Sequence, residues 1–212
     1  FATAFSFLKA IKPFIRIGYK EFTQEKSAFN SAMSYTLKRA VTGSGKEIKI
    51  DFDRALVSMG TLMPVFEGAA TVSNHQMTFN WKDNSGMGNA ERTDIAMVLV
   101  YNKDREAAVY DTEAALRSDC HAGLQLPEDW QDDELVAYLS FYSTDGNCVD
   151  NSICLPISVI EIPEEEIDVQ TESVDTTHKR ILPDKRKVHQ SRITVHSLSA
   201  PPNEIQTYRC ET

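Results

Sequence analysis

The densest group of reactive side chains in the sequence is a short acidic loop around one tryptophan. The loop places five carboxylates beside Trp130: Glu128, Asp129, Asp132, Asp133 and Glu134. A pair of carboxylates can act as acid and base in glycoside hydrolysis, provided that one has a raised pKa inside a cleft. Five acids crowded into one loop are instead typical of a solvent-facing surface, with the tryptophan packed over the end of a sheet. The pattern therefore favours a solvated loop over a catalytic dyad.

Side chains that bind metals are sparse. Residues 83–89 have the composition of a calcium loop, but they lack the ligand spacing and the closing glutamate of the helical calcium loop. We interpret them as a turn between strands. The histidines are scattered along the sequence: His75, His121, His178, His189 and His196. We predict no bound metal and no cofactor.

Nucleophile and phosphate-binding motifs are also missing from the sequence. There is no G-x-S-x-G and no G-x-x-x-x-G-K-[ST]. Residues 43–46 (GSGK) are too short to hold a phosphate and lead into a predicted strand, whereas a phosphate loop leads into a helix. Because no nucleophile, base and orienting group can be named together, we predict that the protein is not an enzyme.

The sequence contains four cysteines: Cys120, Cys148, Cys154 and Cys210. No pair has metal-ligand spacing. Cys148 and Cys154 would lie about 20 Å apart along one continuous strand, too far to bond each other. We interpret the cysteines as unpaired small hydrophobic residues. The alternative is a disulfide between strands that only the fold brings together.

Length and charge narrow the function classes. The chain has 212 residues and a formal net charge of −9. A chain of this size needs no disulfide or metal to fold. Its negative charge disfavours nucleic acid and anionic membranes as partners, because phosphate binding needs a basic face.

No segment of the sequence looks like a membrane span or a leader. There is no run of 18 apolar residues. Residues 1–19 are apolar but interrupted by charges, and no small-residue cleavage site follows, so no signal peptide is visible. We expect a soluble protein without membrane insertion, of unknown localisation. Because the sequence starts at Phe1 and not at Met, we expect a processed or truncated product.

Helical periodicity is confined to the first 45 residues. Apolar residues recur at helical spacing from Phe5 up to Pro13, which is expected to end or kink the first helix. A second helix is predicted over residues 24–41, with Thr23 as its N-cap and Gly43 after its C-terminus.

Strand signals dominate residues 46–160, starting with an alternating segment at residues 48–52. The strongest segments are residues 76–81, 95–101 and 135–142, which are rich in β-branched and aromatic residues and separated by turn residues. Residues 95–101 are nearly all apolar, as expected of a central strand buried on both faces. The pattern predicts a mainly β fold: an immunoglobulin- or fibronectin-like β-sandwich preceded by two short α-helices, without a helix longer than about two turns inside it. The predicted core consists of Phe79, Trp81, Val98, Val100, Leu124, Leu126, Tyr138 and Leu139.

The last fifty residues differ in composition. Seven acidic groups in residues 161–175 precede six basic groups in residues 179–192, a pattern typical of a solvated linker. Two apolar segments then flank a Pro-Pro pair and predict a β-hairpin. The predicted organisation is a helical region (1–45), a β-sandwich domain (46–160) and a charged linker with a hairpin tail (161–212).

Five segments carry a family resemblance: residues 7–19 (FLKAIKPFIRIGY), 28–35 (AFNSAMSY), 55–60 (ALVSMG), 81–86 (WKDNSG) and 137–141 (AYLSF). They resemble an uncharacterised bacterial family, a domain of unknown function of about two hundred residues. The resemblance covers residues 1 to about 160 and implies no catalytic residue. Members of that family have a Gly-rich segment before the first helix that this chain lacks, which supports truncation at the front. The tail departs from the pattern.

Together these features predict a non-enzymatic structural or protein-interaction component of a larger assembly, such as a virion, an appendage or a surface complex. The alternative is a carbohydrate-binding β-sandwich module, with Trp130 exposed on a sugar-binding platform and Trp81 in the core. Expected partners are other protein subunits, including copies of the same chain, with a glycan in the alternative. The first helix and added tail strands would supply the contacts. The candidate interaction residues are Phe5, Leu8, Trp130, Ile193, Val195 and Tyr208.

Overall fold

In the computed structural model, which describes residues 1–23, 26–44 and 47–160, helices come first and strands follow. The α-helices are α1 (Ala2–Ala10), α2 (Lys12–Gly18) and α3 (Ala28–Arg39). The strands are β1 (Val41–Thr42), β2 (Lys49–Ile50), β3 (Phe66–Ser73), β4 (Gln76–Lys82), β5 (Ile95–Asn102), β6 (Ala107–Leu116), β7 (His121–Gln125), β8 (Leu135–Tyr142), β9 (Ile153–Leu155) and β10 (Ile157–Val159). Short 3₁₀ turns occur at Lys20–Phe22, Arg117–Asp119 and Glu128–Trp130.

Two four-stranded sheets form the centre of the described structure. Sheet I has the strand order β10-β3-β4-β7, and sheet II has the order β6-β5-β8-β9. Neighbouring strands are antiparallel, except that β10 runs parallel to β3. The sheets share a hydrophobic core in which the rings of Trp81 (β4) and Phe141 (β8) meet edge to face, with centroids 5.4 Å apart. The prediction of a mainly β fold is confirmed. Helical structure in residues 47–160 is limited to 3₁₀ turns of three residues.

The two central strands of sheet II, β5 and β8, are buried on both faces. In β5, Val98 and Val100 pack into the core that sheet II shares with sheet I. The alternate residues Met97 and Leu99 pack into a second core, which sheet II shares with the helices. Because successive side chains of a strand point to opposite faces, both cores use the same strand. The prediction that residues 95–101 form a central strand buried on both faces is confirmed.

The helices pack against sheet II with an apolar stripe of side chains. Phe7 and Leu8 of α1 and Phe14 of α2 are completely buried in the second core. The helix breaks at Ile11, and Pro13 lies in the first turn of α2, where its missing N–H leaves no hydrogen bond unmade. The predicted break near the proline is confirmed, but the chain continues as α2 beyond it, so the structure has three α-helices where the sequence predicts two.

The predicted caps of the second helix are wrong. α3 begins later than expected, and its N-cap is Ser27, whose Oγ accepts a 3.2 Å hydrogen bond from the backbone N–H of Asn30. Thr23 lies four residues too early to cap it. Gly43 has a φ of +83° but follows β1, not the helix end at Arg39, so its left-handed conformation serves the connection to β2.

The predicted strand at residues 48–52 is reduced to Lys49–Ile50, which pairs with β1 in a small separate sheet. Ile50 is instead buried in the second core, and the ring of Phe52 meets that of Phe7 edge to face at 5.5 Å. Packing against the helices therefore accounts for Ile50 and Phe52, whereas Ile48 is exposed.

The predicted core is confirmed except at one position. Leu124 is only partly buried because β7 is an edge strand of sheet I. The buried members are Phe79, Trp81, Val98, Val100, Leu126, Tyr138 and Leu139. Among the described residues, no helix has the length and apolar composition that crossing a bilayer requires.

The interpretation of the cysteines as unpaired is wrong for one of them. Cys120 is disulfide-bonded, whereas Cys148 and Cys154 are free thiols. Cys210, the charged linker and the predicted tail hairpin lie outside the described residues.

Candidate protein-interaction surface

The exposed side of the helices carries a concave site, called here the helical groove. It has a volume of about 590 Å³. Its walls come from α1, α2 and the start of α3: Phe5, Lys9, Lys12, Arg16, Thr23, Ser27, Ala28 and Phe29. The apolar stripe of these helices is buried against sheet II. The groove lies on their other side and opens to solvent.

An aromatic cluster borders the groove. Phe5 is 43% exposed and Phe1 is 72% exposed. Their centroids lie 6.3 Å apart in a stacked arrangement, and Phe5 meets Phe29 edge to face at 5.9 Å. Such pair geometries are favourable, but they leave much of the aromatic surface in water. Adjacent exposed apolar side chains mark interaction surfaces more often than isolated ones do.

Three cations flank the aromatic cluster. Lys9, Lys12 and Arg16 follow one another at spacings of three and four residues, which places them on one side of the α1–α2 pair. All three are exposed. The ion pairs formed among the described residues use other cations, namely Lys82, Arg92, Lys103, Arg105 and Arg117. The groove is therefore a local positive site on a chain with a net charge of −9.

The two hydroxyls of the groove are engaged in backbone hydrogen bonds. Thr23 Oγ1 donates to the carbonyl of Lys20 at 2.8 Å, and Ser27 caps α3. Among the residues that the structure describes, the lining of the groove includes no carboxylate, histidine or cysteine that would activate a hydroxyl. Binding, through aromatic contact and positive charge, is the chemistry that this groove offers.

A larger and more polar cleft of about 880 Å³ lies beside β2 and the start of β8. Its charges have both signs, and two of its lining residues, Lys103 and Glu134, pair with each other. Burial raises the pKa of the Cys154 thiol to about 12, and a hydrogen bond to Asp53 adds to the shift. A thiol that stays protonated is a poor nucleophile, so the cleft lacks an activated one.

A buried polar network lies at one end of the shared core. The fully buried Arg117 donates from Nε to Asp94 at 3.0 Å and from one terminal nitrogen to Asn84 at 2.7 Å. Its other terminal nitrogen donates to the carbonyl of Met63 at 3.0 Å. The guanidinium carbon lies 3.9 Å from the centroid of the Phe141 ring. These hydrogen bonds hold the loops against the strands. Because Arg117 is fully buried, a substrate cannot reach it.

A second enclosed group contains a carboxyl and two hydroxyls. The Ser58 hydroxyl oxygen lies 2.7 Å from Ser140 Oγ and 2.9 Å from the backbone carbonyl oxygen of Asp150, so its one proton can serve only one of these two hydrogen bonds. Asp150 Oδ1 accepts a 2.9 Å hydrogen bond from the backbone N–H of Phe141. Burial raises the pKa of Asp150 to about 8. These residue types occur in catalytic centres, but all three are buried, and they join the segment after α3 to β8.

The predicted interaction residues do not lie together on one surface. Phe5 lines the helical groove, as described. Leu8 is fully buried between α1 and sheet II, so the prediction that it contributes to a surface is wrong. Trp130 is only 5% exposed and packs into the core shared by the two sheets, so the prediction of its exposure is also wrong. Ile193, Val195 and Tyr208 lie outside the described residues.

The acidic loop around Trp130 is a solvated loop, as predicted. Arg105 donates to Asp129 at 2.7 Å and also to Asp133. The hydrogen bond from Arg105 lowers the pKa of Asp133, which is the opposite of what a general acid needs. The described residues contain no group of three or more His, Cys, Asp or Glu side chains placed to hold a metal.

Sequence reasoning missed most of the helical groove. In the sequence, Lys9, Lys12 and Arg16 interrupt an apolar segment, and their spacing of three and four residues is the signal that places them on one side of the helices. The proximity of Phe29 to Phe5 depends on the packing of α3 beside α1, which no local pattern contains.

Residues 1–156 match the model of a family described as "Family of unknown function (DUF6266)". The chain belongs to this family. The predicted resemblance to a domain of unknown function is thus confirmed. The part of the chain matched to DUF6266 includes the helical groove, both cores and the strands up to β9. No curated protein matches the chain. The family description assigns no activity.

Proposed function

We propose that the protein is a non-enzymatic interaction component of a larger assembly, and that it docks other protein subunits, copies of itself included, through the helical groove. One observation carries the proposal: an aromatic cluster, in which Phe1 and Phe5 are exposed and Phe29 is half-buried, lies beside three cations without partners among the described residues.

The composition of the groove supports this role. Aromatic side chains and arginine are enriched at the centres of protein interfaces, and binding energy concentrates in a few such residues. The concave shape lets a partner insert side chains between the helices. Burying an exposed phenylalanine ring contributes about 1.5–3 kcal/mol, so two rings could dominate a moderate affinity.

We further propose that the two sheets form an immunoglobulin- or fibronectin-like sandwich. Of the seven strands from β3 to β9, sheet I contains β3, β4 and β7, and sheet II contains β5, β6, β8 and β9. β6 lies beside β5 at the edge of sheet II. Variable-type immunoglobulin domains have an added strand at the corresponding edge, and constant-type domains do not. Sandwiches of this type host many binding functions, so the groove, and not the fold, supports the assignment.

The alternative of a carbohydrate-binding module has lost its main support. Trp81 and Trp130 are both buried, and the Trp81 indole N–H donates to the carbonyl of Arg117 at 2.7 Å. Neither ring is available as a platform for a sugar.

Sedimentation velocity on the full chain tests the proposal. We expect the wild-type chain to form larger species as its concentration rises to about 100 μM, and we expect F5S to reduce them. F66S is the matched control, because Phe66 is 44% exposed but lies at the start of β3, away from the groove. A monomeric wild-type chain, or F5S assembling as well as the wild type does, would contradict the proposal.

A further inference from the structure

We infer that the helical groove binds an acidic segment of a second copy of this chain, namely residues 161–175. The inference rests on the proposed function and names the partner. It combines a surface that the structure describes with a segment known by its sequence alone.

Charge complementarity is the first argument. Residues 161–175 contain seven carboxylates and no lysine or arginine. The groove presents Lys9, Lys12 and Arg16, which have no carboxylate partner among the described residues. Opposite charge on two surfaces speeds their encounter and excludes partners of like charge.

The apolar residues of the segment provide the second argument. Ile162, Ile167 and Val169 are interspersed among its acids. The groove likewise combines apolar and charged surface, since the Phe5 and Phe29 rings lie beside the cations. Exposed ion pairs alone contribute little, so burial of apolar side chains against these rings must supply much of the affinity. A segment with only acidic residues would lack that contribution.

Charge and shape favour a protein segment over an anionic membrane or a nucleic acid. A net charge of −9 repels both polyanions, and three cations are few for phosphate binding. Membrane-surface helices present an apolar face to the bilayer, whereas this site is concave.

The contact joins two different surfaces, so it is heterologous. Each copy offers one groove and one acidic segment. Contacts of this kind close into rings or continue into open filaments, depending on the rotation between successive copies.

Charge reversal on full-length chains tests the inference. One variant reverses the groove (K9E/K12E/R16E) and the other reverses the segment (E164K/E165K/E166K). We expect each variant alone to associate about tenfold or more weakly than the wild type in sedimentation velocity, because groove and segment then carry like charges. An equimolar mixture should recover association, since the acidic groove of one variant matches the basic segment of the other. Salt at about 0.5 M should weaken wild-type association.

K38E/R39E is the matched control, because these exposed cations lie on α3 outside the groove. It should associate like the wild type. Thermal melts of all variants establish that they fold.

The remaining outcomes separate the two proposals. If F5S abolishes association while both charge reversals leave it intact, the groove is an interaction site but the acidic segment is not its partner, and the inference is wrong. If each reversal weakens association but the mixture does not recover it, the inference is also wrong. A wild-type chain that stays monomeric contradicts both proposals. Binding to anionic vesicles that K9E/K12E/R16E abolishes, with the wild type still monomeric, would replace the protein partner by a membrane.

Discussion

Arg117 and Asp94 form an ion pair from which water is excluded. The two atoms, Nε and Oδ2, lie 3.0 Å apart, and the side chains are 0% and 1% exposed. The pair forms where the Arg117–Asp119 turn packs beneath the loop before β5, so its integrity links both connections to the shared core.

Breaking this pair should destabilise the fold strongly. In D94A the guanidinium of Arg117 stays buried without its counter-charge, so we expect the free energy of unfolding to fall by about 3–5 kcal/mol. Guanidinium chloride unfolding measures the loss. R105A is the control, because Arg105 pairs with Asp129 while 42% exposed, and its removal should cost under about 1 kcal/mol. Equal losses in the two variants would contradict the prediction.

The buried Asp150 predicts a defined pH dependence of stability. Its pKa is raised from 3.8 to about 8 in the folded chain, so between these values the folded state holds a proton that the unfolded state releases. The free energy of unfolding should therefore decrease as the pH rises from about 4 to about 8. D150N removes this titration, and its melting temperature should vary less across that range than that of the wild type. Parallel pH profiles would argue against a neutral Asp150.

The core position of Trp81 can be tested by two substitutions. W81A should lower the free energy of unfolding by about 3–5 kcal/mol, since it leaves a cavity against Phe141. W81F retains an aromatic ring but loses the hydrogen bond to the Arg117 carbonyl, so its loss should be smaller. Urea unfolding of both variants gives the comparison. A loss under about 1 kcal/mol in W81A would show that the site is not a packed core.

The capping assignment distinguishes two neighbouring hydroxyls. S27A removes the acceptor for the Asn30 N–H and should lower the free energy of unfolding by about 1 kcal/mol. T23A removes a hydroxyl that bonds only the carbonyl of Lys20 in the preceding 3₁₀ turn and does not cap α3, and we expect a change within about 0.5 kcal/mol. Thermal unfolding of both variants, monitored by circular dichroism, measures the two changes. A larger effect in T23A than in S27A would restore the cap predicted from the sequence.

The cysteines should differ in their reaction with iodoacetamide. The raised pKa of Cys154 predicts alkylation at neutral pH roughly a hundredfold or more slower in the folded chain than in urea. Cys120 should be labelled only after reduction, because it is disulfide-bonded. Peptide mass spectrometry follows each site. Labelling of Cys120 in unfolded, unreduced protein would contradict the bond.

The central strands were predictable because their signals are local. The near-continuous apolar sequence of β5 reflects burial on both faces, and turn residues separate it from its neighbours. The weaker predictions failed where tertiary packing decides the outcome. Phe52 alternates like a strand residue but packs beneath α1, and Trp130 sits in a loop yet is buried between the sheets. Neither contact has a signature within a few residues of the chain.

The candidate site was predictable only where its signals are local to the sequence. Phe5 lies on the predicted first helix, whereas its neighbour Leu8 points inward because that face of α1 meets sheet II. Sequence periodicity located the helix but could not separate the exposed edge of its apolar stripe from the buried centre. The aromatic cluster needs Phe29, which reaches Phe5 only through the packing of α3 on α1.

The burial of β5 and β8 on both faces also constrains how this sequence can change over evolutionary time. A substitution at Met97 disturbs the packing beneath the helices, and one at the adjacent Val98 disturbs the contact with sheet I. No position in the middle of β5 or β8 borders solvent, where a change of volume would be tolerated. Divergent members of the family should therefore vary most along the solvent-facing strands β3, β6 and β7, and least along these two central strands.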